Sequence, residues 1–488
     1  MNIAGVVIVL YFVGIIALTY LGVRKQRRGI AAGGDFSSEF FKGGGRLGPI
    51  ALAILVAAGA CSTGTFVGAP GMGAVFGPGF IMMYLGHIPM VLMVLAIFGK
   101  KMNIIGRRTD SDSYIDILRH RYEGYVPLVL IVAAAIVIFA TGASAAEFVG
   151  GSKVIETSIG IPYKVSLIAF TIIITLYIAL GGMTGISMVA MLQGIVMTVG
   201  SLILLAGYLT QVGSLPQIMT GIGNIDPKLL TPNYGGQFPL VSILNFWCMY
   251  GLCTPAVPWV TQSTLTYKDT KTMKQAIIAG AVMCCIWTVF VCVFGGAASR
   301  IFNPLLDATR IDYATPMMAF GILPGWLAGV VLSAMAGAGQ STIAALFILM
   351  TGTVVTSIYK TYFNPSATEK QIRTVSTITT IVVGAANLII AMTEPASLLT
   401  LVAFAGTGCC CALFPILTMG LFWPRTNKYG AFVGCLFGMV GAIISFSLKL
   451  DAPMLYTIPF SFLVVYLVSK ATAKPSKETI RVFFGEVA

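Results

Sequence analysis

The sequence predicts an all-α membrane protein that crosses the bilayer with thirteen helices, and three observations carry that reading. Hydrophobic residues make up 57% of the 488 positions and charged residues only 10%, against about 25% charged in a soluble domain. Mean hydropathy is +0.91, more apolar surface than a water-soluble chain of this length could hide. The apolar residues also gather in runs of about 20, the length a helix needs to cover the hydrocarbon core.

In the first half these runs are Ile3–Gly22, Ile50–Val75, Phe80–Phe98, Tyr125–Val149, Tyr163–Leu180 and Ile186–Leu209. The second half supplies Leu240–Gln262, Gln275–Ala298, Trp326–Tyr359, Val375–Met392, Leu398–Phe422, Tyr429–Leu448 and Leu455–Val468. Trp326–Tyr359 is too long for an upright span and is expected to tilt or to extend past the membrane. The first run has no basic residues before it and a basic cluster (Arg24, Lys25, Arg27, Arg28) after it. It therefore reads as a retained helix, not a secretory signal.

Lys and Arg set the orientation. With the N-terminus outside, 24 of the 30 basic residues fall in inner segments. Only Lys153, Lys164, Lys228, Arg300, Arg310 and Lys449 fall outside. This predicts a multi-pass protein of the inner (plasma) membrane with a cytoplasmic C-terminus. Between the spans, Ser111–Arg121 is expected to be a short amphipathic helix on the inner surface. Gln211–Pro239 is a Gly- and Pro-rich outer loop, and Phe302–Leu323 is an outer segment with room for a short helix.

The net charge of +13 is spread over short loops, which reads as orientation in the bilayer and excludes a nucleic-acid surface. All ten cysteines lie in apolar runs without zinc spacing and read as packing residues. No Walker loop, nucleotide fingerprint, HExxH or CxxC is present, so neither ATP hydrolysis nor covalent catalysis is supplied and no enzyme is expected. No protein partner is implied; the partners are lipid and a small solute.

Two spans look broken. Ala57–Gly79 is dense in Gly, Ser and Thr and carries Pro70, and Tyr250–Thr264 carries Pro255 and Pro258. Proline removes a backbone donor and glycine loosens the turn. Unwound backbone at membrane depth persists only where it lines a cavity or is buried in protein. Interrupted helices at matching places in two halves point to a transporter's binding site. Glu147 is the acid well inside a run, placed near the outer end of Tyr125–Val149, and is a functional candidate by default. His87, beside Pro89, reads as a hydrogen-bonded packing residue before it reads as a proton carrier.

The chain resembles the sodium:solute symporter family, and within it the sodium/pantothenate branch. The likeness runs from the first span to about Lys470. It rests on Phe40–Arg46, on Ser62-x-x-Thr65-Phe66-x-Gly68-x-Pro70-Gly71, and on Gly160–Tyr163 leading to Leu176-Tyr177 and Gly181-Gly182. Ile225-Asp226-Pro227, Tyr267-Lys268-Asp269 and Gly329–Tyr359 with its Ser341-Thr342 continue it. The resemblance implies a leucine-transporter-type fold: an N-terminal extra helix and inner loop (1–47), two inverted five-helix repeats (48–212 and 213–424), and two C-terminal helices with a tail (425–488).

It also implies a sodium site between the first and eighth core helices. Carried over by position, that site uses carbonyls of Ala58, Cys61 and Ala338 and hydroxyls of Ser341 and Thr342. Sodium is a hard cation that takes oxygen ligands, and Ala338 and Ser341 stand at i, i+3 on one helix face. The matching position for an acid carried by some relatives, three residues before Gln193, is Ala190. Extra hydroxyls beyond the serine pair are Ala344 and Ala345 here, so one sodium is expected. Ser263 replaces a basic residue usual after the proline motif of the seventh span.

Solute contacts are expected from Thr63, Thr65 and Phe66, from Glu147, from Trp247, Tyr250, Pro258, Trp259 and Gln262, and from Thr407. The function implied is sodium-coupled import of a small organic solute, a carboxylate such as pantothenate, by alternating access. Half-helix N-termini favour anionic groups, although an ionised Glu147 nearby would oppose one. Proton coupling or uniport through Glu147 or His87, and a solute sensor that does not transport, are the alternatives.

Overall fold

The computed structural model describes residues 2–31, 48–111, 113–306, 308–393 and 398–485. The Phe40–Arg46 motif and most of the first inner loop lie outside the described residues. Every regular element among the described residues is helical. In chain order they are α1 (Ile3–Ala31), α2 (Pro49–Ala60), α3 (Gly64–Phe76), α4 (Pro78–Thr109), α5 (Tyr114–Arg121) and α6 (Val126–Ile159). Next come α7 (Tyr163–Gln211), α8 (Leu215–Ile225), α9 (Leu240–Tyr250), α10 (Thr270–Phe302), α11 (Ala314–Ile322) and α12 (Gly325–Phe363). The last are α13 (Glu369–Ala391), α14 (Leu398–Phe422), α15 (Lys428–Ser447), α16 (Pro453–Ala471) and α17 (Lys477–Phe484).

Among the described residues eleven helical segments are long and apolar enough to span a membrane, and the bent pair α2–α3 raises the number to twelve. The expected run Leu240–Gln262 is no single helix. It is the short α9 followed by a turn and three short helical pieces up to Leu265. The two runs expected at Tyr163–Leu180 and Ile186–Leu209 are joined in one continuous helical stretch, α7.

Local chemistry fixes the helix ends. Thr368 caps α13 in a reciprocal box with Gln371, Asn427 caps α15 by accepting from Gly430 N at 2.9 Å, and Asp269 caps α10 by accepting from Thr272 N at 2.8 Å. Gly160, with φ +79°, ends α6 in the left-handed conformation that glycine adopts without strain. The core is built around α12, which packs against α1, α6 and α7. Its small residues allow close approach, as usual between membrane helices: a Cβ on Gly329 would stand 2.7 Å from Val7 Cβ.

The expected surface helix Ser111–Arg121 is α5, and it is largely buried. Arg121 is 1% exposed; its Nε donates to Gly420 O at 2.6 Å and its Nη2 to Trp423 O at 3.2 Å. A cation here completes the carbonyls at the C-terminal end of α14, so the helix is tied into the bundle and does not float on its surface. Phe483 of α17 covers the same guanidinium, 5.7 Å from its ring centre.

Candidate functional site

The first break falls between α2 and α3, whose axes differ by 61°. Cys61 turns the chain there with φ −87° and ψ 93°. Ser62 follows, and its Oγ accepts from Gly64 N at 3.0 Å. The second break is spread over 251–257: Gly251 leaves the helix with φ −114° and ψ −84°, and Val257 is extended before Pro258 starts a short helical turn.

At the first break four oxygens from two helices converge. Ser341 Oγ lies 3.2 Å from Ala58 O and 2.9 Å from Ala338 O. Thr342 Oγ1 lies 2.9 Å from Ala58 O and 3.2 Å from Ala338 O. All four residues are buried. Two hydroxyls carry two protons, which cannot serve four oxygen–oxygen contacts at once. The remaining lone pairs face one another, an arrangement that a hard, oxygen-seeking cation would relieve. Cys61 stands at the turn beside Ala58, and its thiol points to Cys284 Sγ at 3.9 Å, so only its carbonyl is suited to such an ion. Among the described residues no group of three His, Cys, Asp or Glu could hold a metal, which leaves neutral oxygens as the cation ligands on offer.

Glu147 is buried inside the helix bundle. It is 2% exposed, because α6 runs on to Ile159 and carries this position into the interior. Its Oε2 accepts from Thr63 N at 2.8 Å and Thr63 Oγ1 at 2.7 Å, at the start of α3. A cavity of ≈ 60 Å³ opens beside it, lined by Glu147, Tyr250 and Trp259 among the expected solute residues, and also by Thr342, Ser62 and His87. That volume holds a few waters.

The other expected solute residues are not on this wall. Thr63 stands behind Glu147 as its partner. Thr65 O accepts from Cys292 Sγ at 2.9 Å, while Phe66 packs on Trp287 with ring centres 6.1 Å apart; neither lines the cavity. Trp247 accepts from Gly251 N through its own carbonyl at 3.0 Å, and Pro258 is buried at the start of its turn. Gln262 is buried with Oε1 unpartnered among the described residues, and Thr407 Oγ1 lies 3.7 Å from Sδ of Met249, which does line the cavity. Ser62 and Thr254, which sequence analysis does not assign to the solute, also line the cavity; each sits at a helix break, the sequence signal that points to it.

A second cavity of ≈ 650 Å³ lies between α3, α9 and α14, with Met72, Phe76, Phe238 and Phe246 on its wall. Tyr250 lines both cavities. Its ring stacks on Tyr84 at 4.4 Å, its hydroxyl lies 3.0 Å from that of Tyr84, and His87 lies 4.7 Å from the ring. His87 Nδ1 is engaged with Tyr84 O at 2.9 Å. A buried ion pair, Lys153 Nζ to Asp312 Oδ2 at 2.8 Å, ties α6 to the 308–313 segment.

The model of the sodium:solute symporter family matches residues 40–438. The chain belongs to the sodium:solute symporter family. It is 31% identical to a sodium/pantothenate symporter of Escherichia coli (strain K12) over 439 residues, 89% of this chain and 88% of that one. An osmoregulated proline transporter of Bacillus subtilis (strain 168) is 23% identical, with 97% of this chain and 96% of that one covered. A solved Na+-coupled sialic acid symporter, substrate-bound and outward-open, shares the fold: TM-score 0.80, 18% identity, with 98% of this chain and 99% of that one covered. The fold is therefore of the leucine-transporter type, and the symporter works by sodium-coupled transport of a small solute across a membrane, not by enzymatic chemistry.

Proposed function

We propose that this symporter imports a small carboxylate, with pantothenate as the leading candidate, together with one sodium ion by alternating access. The convergence of Ala58, Ala338, Ser341 and Thr342 carries the coupling half of the reading. Sodium among these oxygens, with the Cys61 carbonyl as a further ligand, would hold α2 to α12 and favour the conformation that admits solute. Separation of the two helices would release the ion to the inside. The 31% identity to a pantothenate symporter supports the solute class. A single ion follows from methyl groups at Ala190, Ala344 and Ala345 where a further site would need oxygens.

The proposal takes 48–212 and 213–424 as the two repeats. It places the N-terminus outside and the C-terminus in the cytoplasm of a cell bounded by an inner (plasma) membrane, so that the ≈ 650 Å³ cavity is the outer vestibule. Import then draws on the membrane potential, about 2.3 kcal/mol per charge per 100 mV.

The deciding experiment is uptake of labelled pantothenate into proteoliposomes with an inward sodium gradient, against choline in its place. Sodium-dependent accumulation is expected. Uptake undiminished in choline would favour the second reading, proton coupling, for which the buried carboxylate of Glu147 in the central cavity is the favouring observation. Saturable solute binding with no accumulation under either gradient would favour a sensor.

A further inference from the structure

The broken first core helix has its own anion. A half-helix N-terminus offers unpaired N–H groups and a positive dipole end. In this chain that offer is taken: Glu147 Oε2 receives both the backbone N–H and the hydroxyl of Thr63. The carboxylate reaches the break because α6 passes close by at Gly150, where a Cβ would stand 2.7 Å from Thr63 Cβ. Glu147 is 2% exposed, yet it forms part of the central cavity wall. No Lys or Arg is among the described residues lining that cavity. The wall therefore presents a carboxylate acceptor where a bare helix end would have presented a positive donor.

We infer that Glu147 is a specificity-determining residue that receives a hydrogen-bond donor of the solute, a hydroxyl, amide N–H or ammonium, and turns any solute carboxylate away from the first helix break. A carboxylate accepts several hydrogen bonds at once, so the two bonds to Thr63 leave room for a donor from the solute. A solute carboxylate in the same place would put two carboxylates together in a water-poor cavity, with no Lys or Arg side chain among the described residues that line it to offset them. For the carboxylate solute proposed above, this fixes orientation: its hydroxyl and amide end lies at Glu147, and its carboxylate end lies away from Thr63.

The inference rests in part on the proposed solute, so the test has one arm that needs that solute and one that does not. In the first, sodium-driven uptake of labelled pantothenate is inhibited with two analogues, one lacking the hydroxyl groups and one with the carboxylate converted to an amide. Loss of the hydroxyls should weaken inhibition of the wild type by about tenfold or more, the scale of a hydrogen bond to a charged group. In Glu147→Gln the same loss should cost distinctly less, while amidation of the carboxylate should cost both proteins alike. Equal hydroxyl penalties in the two proteins would overturn the inference.

In the second arm, Glu147→Ala leaves the Thr63 donors empty, and formate at millimolar concentration is the probe. Formate should raise the thermal midpoint of Glu147→Ala in detergent and leave the wild type unmoved. No shift in Glu147→Ala, or the same shift in both, would overturn the assignment of an anion position at the break. If the wild type takes up no pantothenate, the solute reading fails, and the formate arm alone decides the role of Glu147.

Discussion

Replacing Lys153 by methionine should open the ≈ 650 Å³ cavity proposed as the outer vestibule. The Lys153 and Asp312 side chains are 4% and 0% exposed and 2.8 Å apart. The only other contact on that carboxylate oxygen among the described residues is a long one, 3.4 Å from Leu398 N, and Oδ1 has no partner. Removing the lysine strands a buried carboxylate, which costs about 3–5 kcal/mol. A conformation in which the 308–313 segment lifts away lets water reach Asp312 and escapes that cost. The closed-to-open ratio should therefore fall by about two to three and a half orders of magnitude, at about 1.4 kcal/mol per decade.

The assay is the labelling rate of Met72→Cys, on the vestibule wall, by a membrane-impermeant maleimide. It would be run in a background without Cys248 and Cys285, the two native cysteines that are not buried. Lys153→Met should label much faster than its parent. The double change Lys153→Met, Asp312→Leu removes the stranded charge and should return labelling close to the parental rate. A single variant that labels at the parental rate, or a double variant as fast as the single, would refute the reasoning.

Three further outcomes follow from the same geometry. Gly71→Ala should act in the same direction, because a Cβ there collides with the Ile311 carbonyl; overpacking of this kind costs about 1–3 kcal/mol, read by the same Met72→Cys labelling. Tyr250→Phe keeps the stack on Tyr84 and should change uptake by less than about tenfold. Tyr250→Ala should join the two cavities and let sodium leak without solute, measured as radioactive sodium flux.

Docking of α17 should fail only in acid. Burial pushes the Glu123 carboxyl up, but the Ser476 N–H and Lys428 outweigh it and hold the group below the usual carboxylate range. Its contribution is thus complete above the ordinary glutamate value of about 4.3 and is lost as pH falls through its lower folded value. Proteolysis of the tail in inside-out vesicles should rise below that range, and Glu123→Gln should raise it at neutral pH.

The sequence made the bundle legible because apolar runs of spanning length and basic loops are signals of composition, and the breaks at Cys61 and around Pro255 and Pro258 are signals of backbone chemistry. The depth of Glu147 was not legible. Counting apolar residues stops the fourth run at Val149, whereas α6 continues through Gly-Gly-Ser-Lys to Ile159. That polar stretch stays helical because its glycines meet Thr63 and Phe170 and its lysine meets Asp312. These partners come from distant parts of the chain, and no local pattern announces them.

The same holds for α5, whose charged face reads as solvated until Arg121 is seen among the carbonyls that end α14. The cavity wall was only partly legible. Helical spacing places Thr65 and Phe66 near the break, but the direction of the 61° bend decides which face turns inward.

Sodium binding itself tests the account most directly. Thermal unfolding of the purified protein should be followed with sodium titrated against potassium at constant ionic strength, in the wild type and in Ser341→Ala, Thr342→Ala. An ion that binds only the folded state raises the midpoint as its concentration passes Kd. The wild type should gain stability with sodium and not with potassium, and the double variant should gain none. An equal sodium-specific gain in both proteins would contradict the cation cage between α2 and α12.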